Sequence, residues 1–166
     1  MSSEKEQAVR EQITELESLG IIRKCDATAY SHVLMVRKPN GTWRMCIDFR
    51  NQDECTKPLN WPLPNINQML DRLGSKRPKF FGVIELTSGY HQAPMHENSI
   101  RFTAFITYLG IYEWCRVPMG LKGAPSYFQK MMTESLAGLL GVVCELYLDN
   151  IIIFGFDETS YLNNLR

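Results

Sequence analysis

The polar pair Asp149-Asn150 interrupts an otherwise apolar stretch, residues 142–154, of a 166-residue chain. The β-branched runs on either side read as two strands, 142–146 and 150–154. Leu148-Asp149-Asn150 then reads as the turn of a tight hairpin. Asp and Asn suit such a turn because they tolerate left-handed backbone and bond their own main chain. Two readings are open: an ordinary buried hairpin with a polar tip, or a carboxylate held on a rigid, apolar-walled platform, which metal catalysis requires. A second acid, Glu85, lies near the end of another apolar run, 80–86. Hairpin pairing could bring Glu85 and Asp149 together, but spacing alone does not place them. A third feature is basic: Arg37, Lys38, Arg44 and Arg50 surround Pro39-Asn40-Gly41, with Asp48 as the single acid. This is either a solvated hairpin face or an edge that meets phosphate.

These groups need elements to hold them. Ser3 and Glu6 have capping-box spacing, Val9, Ile13 and Leu16 mark one helical face, and Gly20 is a stop signal, which predicts a helix over 3–19. Residues 21–29 read as a short connection. Strands are expected over 32–38 and 42–49, joined by Asn40-Gly41, the strongest short hairpin signal. Residues 51–64 carry Pro58, Pro62 and Pro64 and read as irregular. Asn65 is a cap for a helix with Ile66, Met69, Leu70 and Leu73 on one side. Lys76, Arg77 and Lys79 make a second basic cluster before the strand at 80–86. Strands at 102–107 and 112–117 flank Leu109-Gly110. A loop follows at 118–124, and Pro125 suits the first turn of a helix carrying Phe128, Met131, Met132 and Leu136. Asp157 starts a last helix. Strands and helices alternate without a strict βαβ period, which predicts an α+β domain: a mainly antiparallel sheet with helices on one face.

Composition narrows the class. Hydrophobic residues make up 45% and charged residues 22%, enough for a sizeable core and too apolar for disorder. The formal net charge is zero, so nucleic-acid binding needs a local basic patch rather than a basic chain. The five cysteines show neither a CxxC pair nor metal-ligand spacing. They read as reduced thiols of an intracellular protein. With no run of 18 apolar residues and no signal peptide, a soluble chain is expected and no membrane partner.

Six segments, in order, resemble the reverse transcriptase of LTR retrotransposons of the Ty3/gypsy type. They are 36–50 (VRKPNGTWRMCIDFR), Pro62-Leu63-Pro64, Leu86-Thr87-Ser88-Gly89-Tyr90-His91-Gln92, Thr103-Ala104-Phe105, 117–125 (VPMGLKGAP) and Tyr147-Leu148-Asp149. The resemblance implies one reverse-transcriptase-like domain over 1–166. Its fingers subdomain (about 21–80) is built on the basic hairpin, and its palm (about 81–166) carries the acids, with the N-terminal helix over 3–19. Thumb, connection and RNase H regions are absent, so the chain is either a fragment of a longer polyprotein or a reduced relative.

The implied chemistry is RNA-directed DNA synthesis: two Mg²⁺ (or Mn²⁺) ions assist nucleotidyl transfer from a dNTP to a primer 3′-OH on an RNA/DNA template-primer. The family sets one Asp at the palm strand end and two in a Tyr-x-Asp-Asp turn. Here the catalytic positions are Glu85, Asp149 and Asn150, with Glu85 and Asp149 left as metal ligands. Glu adds one carbon–carbon bond, about 1.5 Å, where catalytic constellations tolerate about 0.5 Å. Asn removes a charge. The resemblance therefore implies a weakened or inactive polymerase, with weak or lost metal binding. The alternative is a catalytically dead nucleic-acid- or protein-binding module. The dNTP positions carried over are Lys38 and Arg44 for the triphosphate, Tyr90 under the sugar, and Met119 and Gly120 beside the pocket. Residues 51–56 depart from the family pattern. Arg37, Lys38 and Arg44 are expected on one basic face.

Overall fold

A computed structural model describes residues 3–57 and 59–166. In chain order the elements are α1 (Ser3–Ser18), β1 (Ile22–Lys24), β2 (Ser31–Arg37), β3 (Trp43–Ile47), α2 (Arg50–Cys55), α3 (Ile66–Lys76), β4 (Phe80–Glu85), α4 (Gly89–Gln92), α5 (Glu97–Ile100), a 3₁₀ turn (Arg101–Thr103), β5 (Phe105–Thr107), β6 (Gly110–Trp114), α6 (Ala124–Ser135), β7 (Cys144–Tyr147), β8 (Asn150–Gly155) and α7 (Glu158–Leu165). The expected α+β class is what the structure shows. Its strands form two sheets: five strands in the order β1-β6-β5-β2-β3, and three in the order β4-β8-β7. Every pair is antiparallel except β2–β5.

The chain divides into two compact units. One holds the residues up to Lys57 together with Tyr90–Ala124, and the other holds the remaining segment up to Gly89 together with Pro125–Arg166. In the first unit, Val9 and Ile13 of α1 are buried in one core with Ile22, Ile47, Phe49, Phe105, Tyr112 and Trp114. This is the predicted helical face, and Gly20 ends the segment with a φ of 65°. The β2–β3 hairpin also forms where Asn40-Gly41 predicts it. Lys38 N–H donates to the Thr42 carbonyl, Gly41 takes a φ of 84°, and the Asn40 carboxamide accepts from the Thr42 N–H and hydroxyl.

Several expectations are corrected. Ser3, expected as the N-cap, is already helical. Residues 22–24, expected within a connection, form β1 and pair with Tyr112, Glu113 and Trp114. Only Ile22 of the three is apolar. The strand is held by its tertiary partner and by the cross-strand ion pair Arg23–Glu113 at 2.7 Å. Residues 51–55, expected to be irregular, belong to α2, and Asp53 accepts from the Lys122 N–H. Pro58 lies outside the described residues. Residues 101–103 are a 3₁₀ turn rather than the start of a strand.

His91 in the first unit is half-buried, its ring 5.3 Å from that of Trp114. Burial lowers its pKa from the ordinary 6.5. The unfolded chain therefore takes up this proton at a higher pH than the folded chain does. The stability linked to His91 is complete above pH 6.5 and is lost as pH falls through the lower folded value. The thermal midpoint is expected to fall on acidification just below pH 6.5, and His91→Gln is expected to flatten that part of the profile. A melting series across this window checks it.

The second unit packs Phe154, fully buried, with Met69, Leu73, Phe128, Cys144, Leu146 and Ile153 among its buried apolar residues. Asn65 caps α3 as predicted, its side chain accepting from Gln68 N–H at 3.2 Å. Ile66 and Leu70 of the same helix stay exposed, so its buried stripe is narrower than expected. Arg72 of α3 reaches the buried Glu145 of β7 at 2.9 Å. Asp157 and Ser160 form a reciprocal capping box for α7, and Asn164 donates to the Phe154 carbonyl. No helix among the described residues is long and apolar enough to cross a membrane.

Candidate active site

All three catalytic candidates belong to the second unit, at one end of its three-stranded sheet. The β4–β8 register runs from Phe80 opposite Gly155 to Glu85 opposite Asn150. Residues directly opposite each other in an antiparallel pair stand with Cβ atoms about 5 Å apart on the same face. Glu85 and Asn150 are such a pair. Beyond it, the Leu86 N–H donates to the Asp149 carbonyl at 2.9 Å. The separate acids of the sequence are thus brought to one sheet end by strand pairing over a separation of some 65 residues.

The β7–β8 turn is tight: Tyr147 pairs with Asn150, leaving Leu148 and Asp149 as its two central residues. Leu148 has a φ of 53°. A positive φ at the first of two central residues marks the II′ class of hairpin turns, which fits strand twist but favours Gly. A bulky residue there is an outlier that costs about 1–3 kcal/mol unless its surroundings enforce it. Those surroundings are visible. Gln129 of α6, 2% exposed, accepts from the Leu148 N–H at 2.7 Å. Asn150 donates its side-chain amide to Asp149 Oδ1 at 3.2 Å.

This end of the sheet offers hard oxygen donors: the carboxylates of Glu85 and Asp149 and the amide oxygen of Asn150. Such donors are the kind that Mg²⁺ or Mn²⁺ takes. Among the described residues no group of three or more His, Cys, Asp and Glu side chains is placed to hold a metal ion. Two carboxylates balance the charge of one divalent cation and leave none for a second. Asp149 Oδ1 is also already engaged by the Asn150 amide.

The five nucleotide candidates belong to the first unit. Lys38 closes the β2–β3 turn and is half-buried. Arg44 is exposed on β3, opposite Val36. Tyr90 lies in α4 and is half-buried. Met119 and Gly120 are exposed in the loop before α6, and Gly120 has a φ of 102°. The expected single basic face is corrected. Arg37 pairs with Trp43, one residue out of step with Val36–Arg44, so it projects from the opposite face of the ribbon. Its guanidinium lies 5.9 Å from the Trp43 ring, which Lys5 also covers at 4.9 Å. Arg50 is likewise engaged, forked onto Asp48 at 2.6 and 2.8 Å, which holds that carboxyl down at about 2. Lys38 and Arg44 remain on one side of the ribbon.

Two residues escaped the sequence. Gln129 gave one weak signal: a polar side chain within the apolar stripe of α6, beside the fully buried Phe128. Gly89, at the first position of α4, packs so closely that a Cβ there would come within 2.9 Å of the Phe128 ring.

Residues 36–166 match the reverse transcriptase (RNA-dependent DNA polymerase) family. The chain is 42% identical over 163 residues to the retrovirus-related Pol polyprotein from transposon opus of Drosophila melanogaster, covering 95% of this chain and 16% of that protein. It is 35% identical over the same length to the Pol polyprotein from transposon gypsy of that species, again with 95% and 16% covered. It thus spans about a sixth of these curated relatives. Among solved structures, the foamy viral protease-reverse transcriptase in complex with RNA/DNA hybrid superimposes with a TM-score of 0.89 at 22% identity, covering 99% of this chain and 22% of that one. With a family match that runs from β2 to the last residue, the chain belongs to the reverse transcriptase (RNA-dependent DNA polymerase) family.

Proposed function

We propose that this chain is the fingers and palm part of an RNA-directed DNA polymerase whose metal site is weakened to the point of little or no catalysis. The observation that carries this is the register pair Glu85–Asn150 beside Asp149. It supports the reading because a lengthened acid and an uncharged amide face each other, where the resemblance implies two aspartates. In this reading β2 and β3 belong to the fingers, and β4, β7 and β8 to the palm. The partners are an RNA/DNA template-primer, a dNTP and the remaining regions of a longer polyprotein, the form that the curated relatives take.

A divalent cation held by Asp149 and Glu85 would supply charge stabilisation and a more acidic primer hydroxyl. The chain's own residues do the rest. Lys38 offers a point charge and Arg44 a planar fork, which together suit a triphosphate. Tyr90 matches the aromatic that lies under the deoxyribose in the family, and Met119 and Gly120 match the loop that borders the nucleotide pocket. Asp149 provides one firm carboxylate. Glu85 reaches the same place from a longer stem, and Asn150 gives an oxygen without charge.

A second reading is supported by Asn150 itself: a palm that has lost a carboxylate and keeps its phosphate-binding residues can hold nucleic acid without chemistry. Primer extension on an RNA template with Mg²⁺ or Mn²⁺ separates the two. The unmodified chain is expected to extend a primer at least about 100-fold more slowly than the Glu85→Asp, Asn150→Asp variant, in keeping with the loss of charge beside the cation. Robust extension by the unmodified chain would show Glu85 and Asn150 to be a working set. No extension by either chain, with the template-primer still bound, would favour the binding module.

A further inference from the structure

Asp149 can serve a cation only if its turn presents it in one orientation, and the turn is built on a residue unsuited to its backbone. Leu148 sits at a φ of 53°, where a leucine side chain crowds its own main chain. No glycine relieves it. One main-chain hydrogen bond to each central residue holds the turn instead, beside the Asn150 amide that donates to Asp149 Oδ1 at 3.2 Å. The Leu86 N–H donates to the Asp149 carbonyl at 2.9 Å, and the Leu148 N–H donates to Gln129 Oε1 at 2.7 Å. The second is the unusual one. It comes from a side chain on α6, 19 residues away, that is almost wholly buried.

The Gln129 carboxamide has its orientation fixed. A backbone N–H can only donate, so the oxygen end must face the turn, and the Nε2 end faces Thr133 Oγ1 at 3.5 Å. The Thr133 hydroxyl in turn donates to the Gln129 carbonyl at 2.7 Å. A side chain anchored in this way is a fixed acceptor rather than a mobile one.

We propose that Gln129 is the positioning residue of the Leu148-Asp149 turn: by accepting from the Leu148 N–H it holds Leu148 in the left-handed region and thereby sets the direction of the Asp149 carboxylate. The step from turn to cation rests on the metal-site reading given above. The step from Gln129 to turn does not.

The tests follow that division. In the unmodified chain the Leu148 amide should exchange with solvent far more slowly than an open turn amide. Exchange at the open-turn rate overturns the proposal without any variant. Gln129→Met keeps length and bulk but removes the acceptor, and should speed exchange at Leu148 by roughly tenfold or more. The amides of Leu146 and Ile151 in the β7–β8 ladder should change little. Gln129→Glu keeps an acceptor and should restore most of the protection.

The second measurement uses Mn²⁺ calorimetry in the Glu85→Asp, Asn150→Asp background. There Gln129→Met should weaken binding by roughly tenfold. Adding Leu148→Gly should recover most of that loss, because glycine adopts the positive φ unaided. A side chain that merely filled space would not be rescued from across the turn. If exchange at Leu148 rises while Mn²⁺ affinity stays put, Gln129 does not set Asp149 and the proposal is overturned. If that background binds no Mn²⁺ at all, the metal-site reading fails, and exchange at Leu148 alone decides the role of Gln129.

Discussion

Mn²⁺ is expected to bind the Glu85→Asp, Asn150→Asp variant on the order of 100-fold more tightly than the unmodified chain. Asn150 stands opposite Glu85 and beside Asp149, so Asp at position 150 adds a full negative charge where only an amide dipole stood. Two unit charges about 4 Å apart interact by about 4 kcal/mol at the effective dielectric of a protein surface. A divalent ion doubles that before desolvation and solvent screening reduce it. A hundredfold gain asks for about 2.7 kcal/mol, well inside what remains. Shortening Glu85 adds geometry to charge. The same variant should be less stable without metal. The Asn150 amide now donates to Asp149 Oδ1, and an Asp there would replace that hydrogen bond with a repulsion. The thermal midpoint should therefore fall in chelator and rise above that of the unmodified chain in Mn²⁺. Calorimetry reads the affinity and paired melts read the crossover. A variant equally stable with and without Mn²⁺ would rule out a cation at this sheet end.

Gly155→Ala is expected to be the most damaging single methyl group in the second unit. Gly155 ends β8 opposite Phe80, and α7 crosses directly over it. A Cβ there would lie 2.5 Å from both the backbone nitrogen and the Cα of Tyr161, distances that force main chain to move. Overpacking of side chains costs about 1–3 kcal/mol. Here no rotamer change relieves the clash, so a loss of about 3 kcal/mol or more is expected, or a fall of roughly 6–12 °C in thermal midpoint. Gly82 is an internal control. Its Cβ would also collide with Tyr161, but with the phenolic oxygen, the far end of a side chain. Gly82→Ala should cost less, and Tyr161→Phe should relieve it while leaving Gly155→Ala unrelieved. Equal losses at the two glycines would mean that α7 does not sit on β8 as described.

What the sequence made legible was local. The β7–β8 hairpin declares itself by β-branched runs on either side of Asp149, and β2–β3 by Asn40-Gly41. The α3 cap follows from Asn65. What it hid depends on distant partners. β1 has one apolar residue and exists because β6 receives it. α2 is polar along its length and has no buried residue to announce a helix. The separation of Arg37 from Arg44 follows from the two-residue period of strands, but only once the register of Trp43 is known. The pairing of Glu85 with Asn150 could be imagined from two strand ends but not fixed. Gln129 was out of reach because a glutamine in a helix is ordinarily a solvated residue. Its burial depends on what packs over α6.

The interleaving of the two units bears on how the chain comes to be folded. Each unit draws on two stretches of sequence, and the main chain passes between them three times, before Pro58, before Tyr90 and before Pro125. In the order of synthesis, β8, the partner strand of β4 among the described residues, arrives some 65 residues after it. Until then β4 is an apolar strand with both edges open, including the exposed Phe81 and Val83. Closing such a long loop delays the reward for pairing, and high contact order of this kind goes with slow folding. The three-stranded sheet therefore forms only after β8 has been made. Any product cut short before residue 150 lacks β8, and with it the strand that sets Asn150 opposite Glu85.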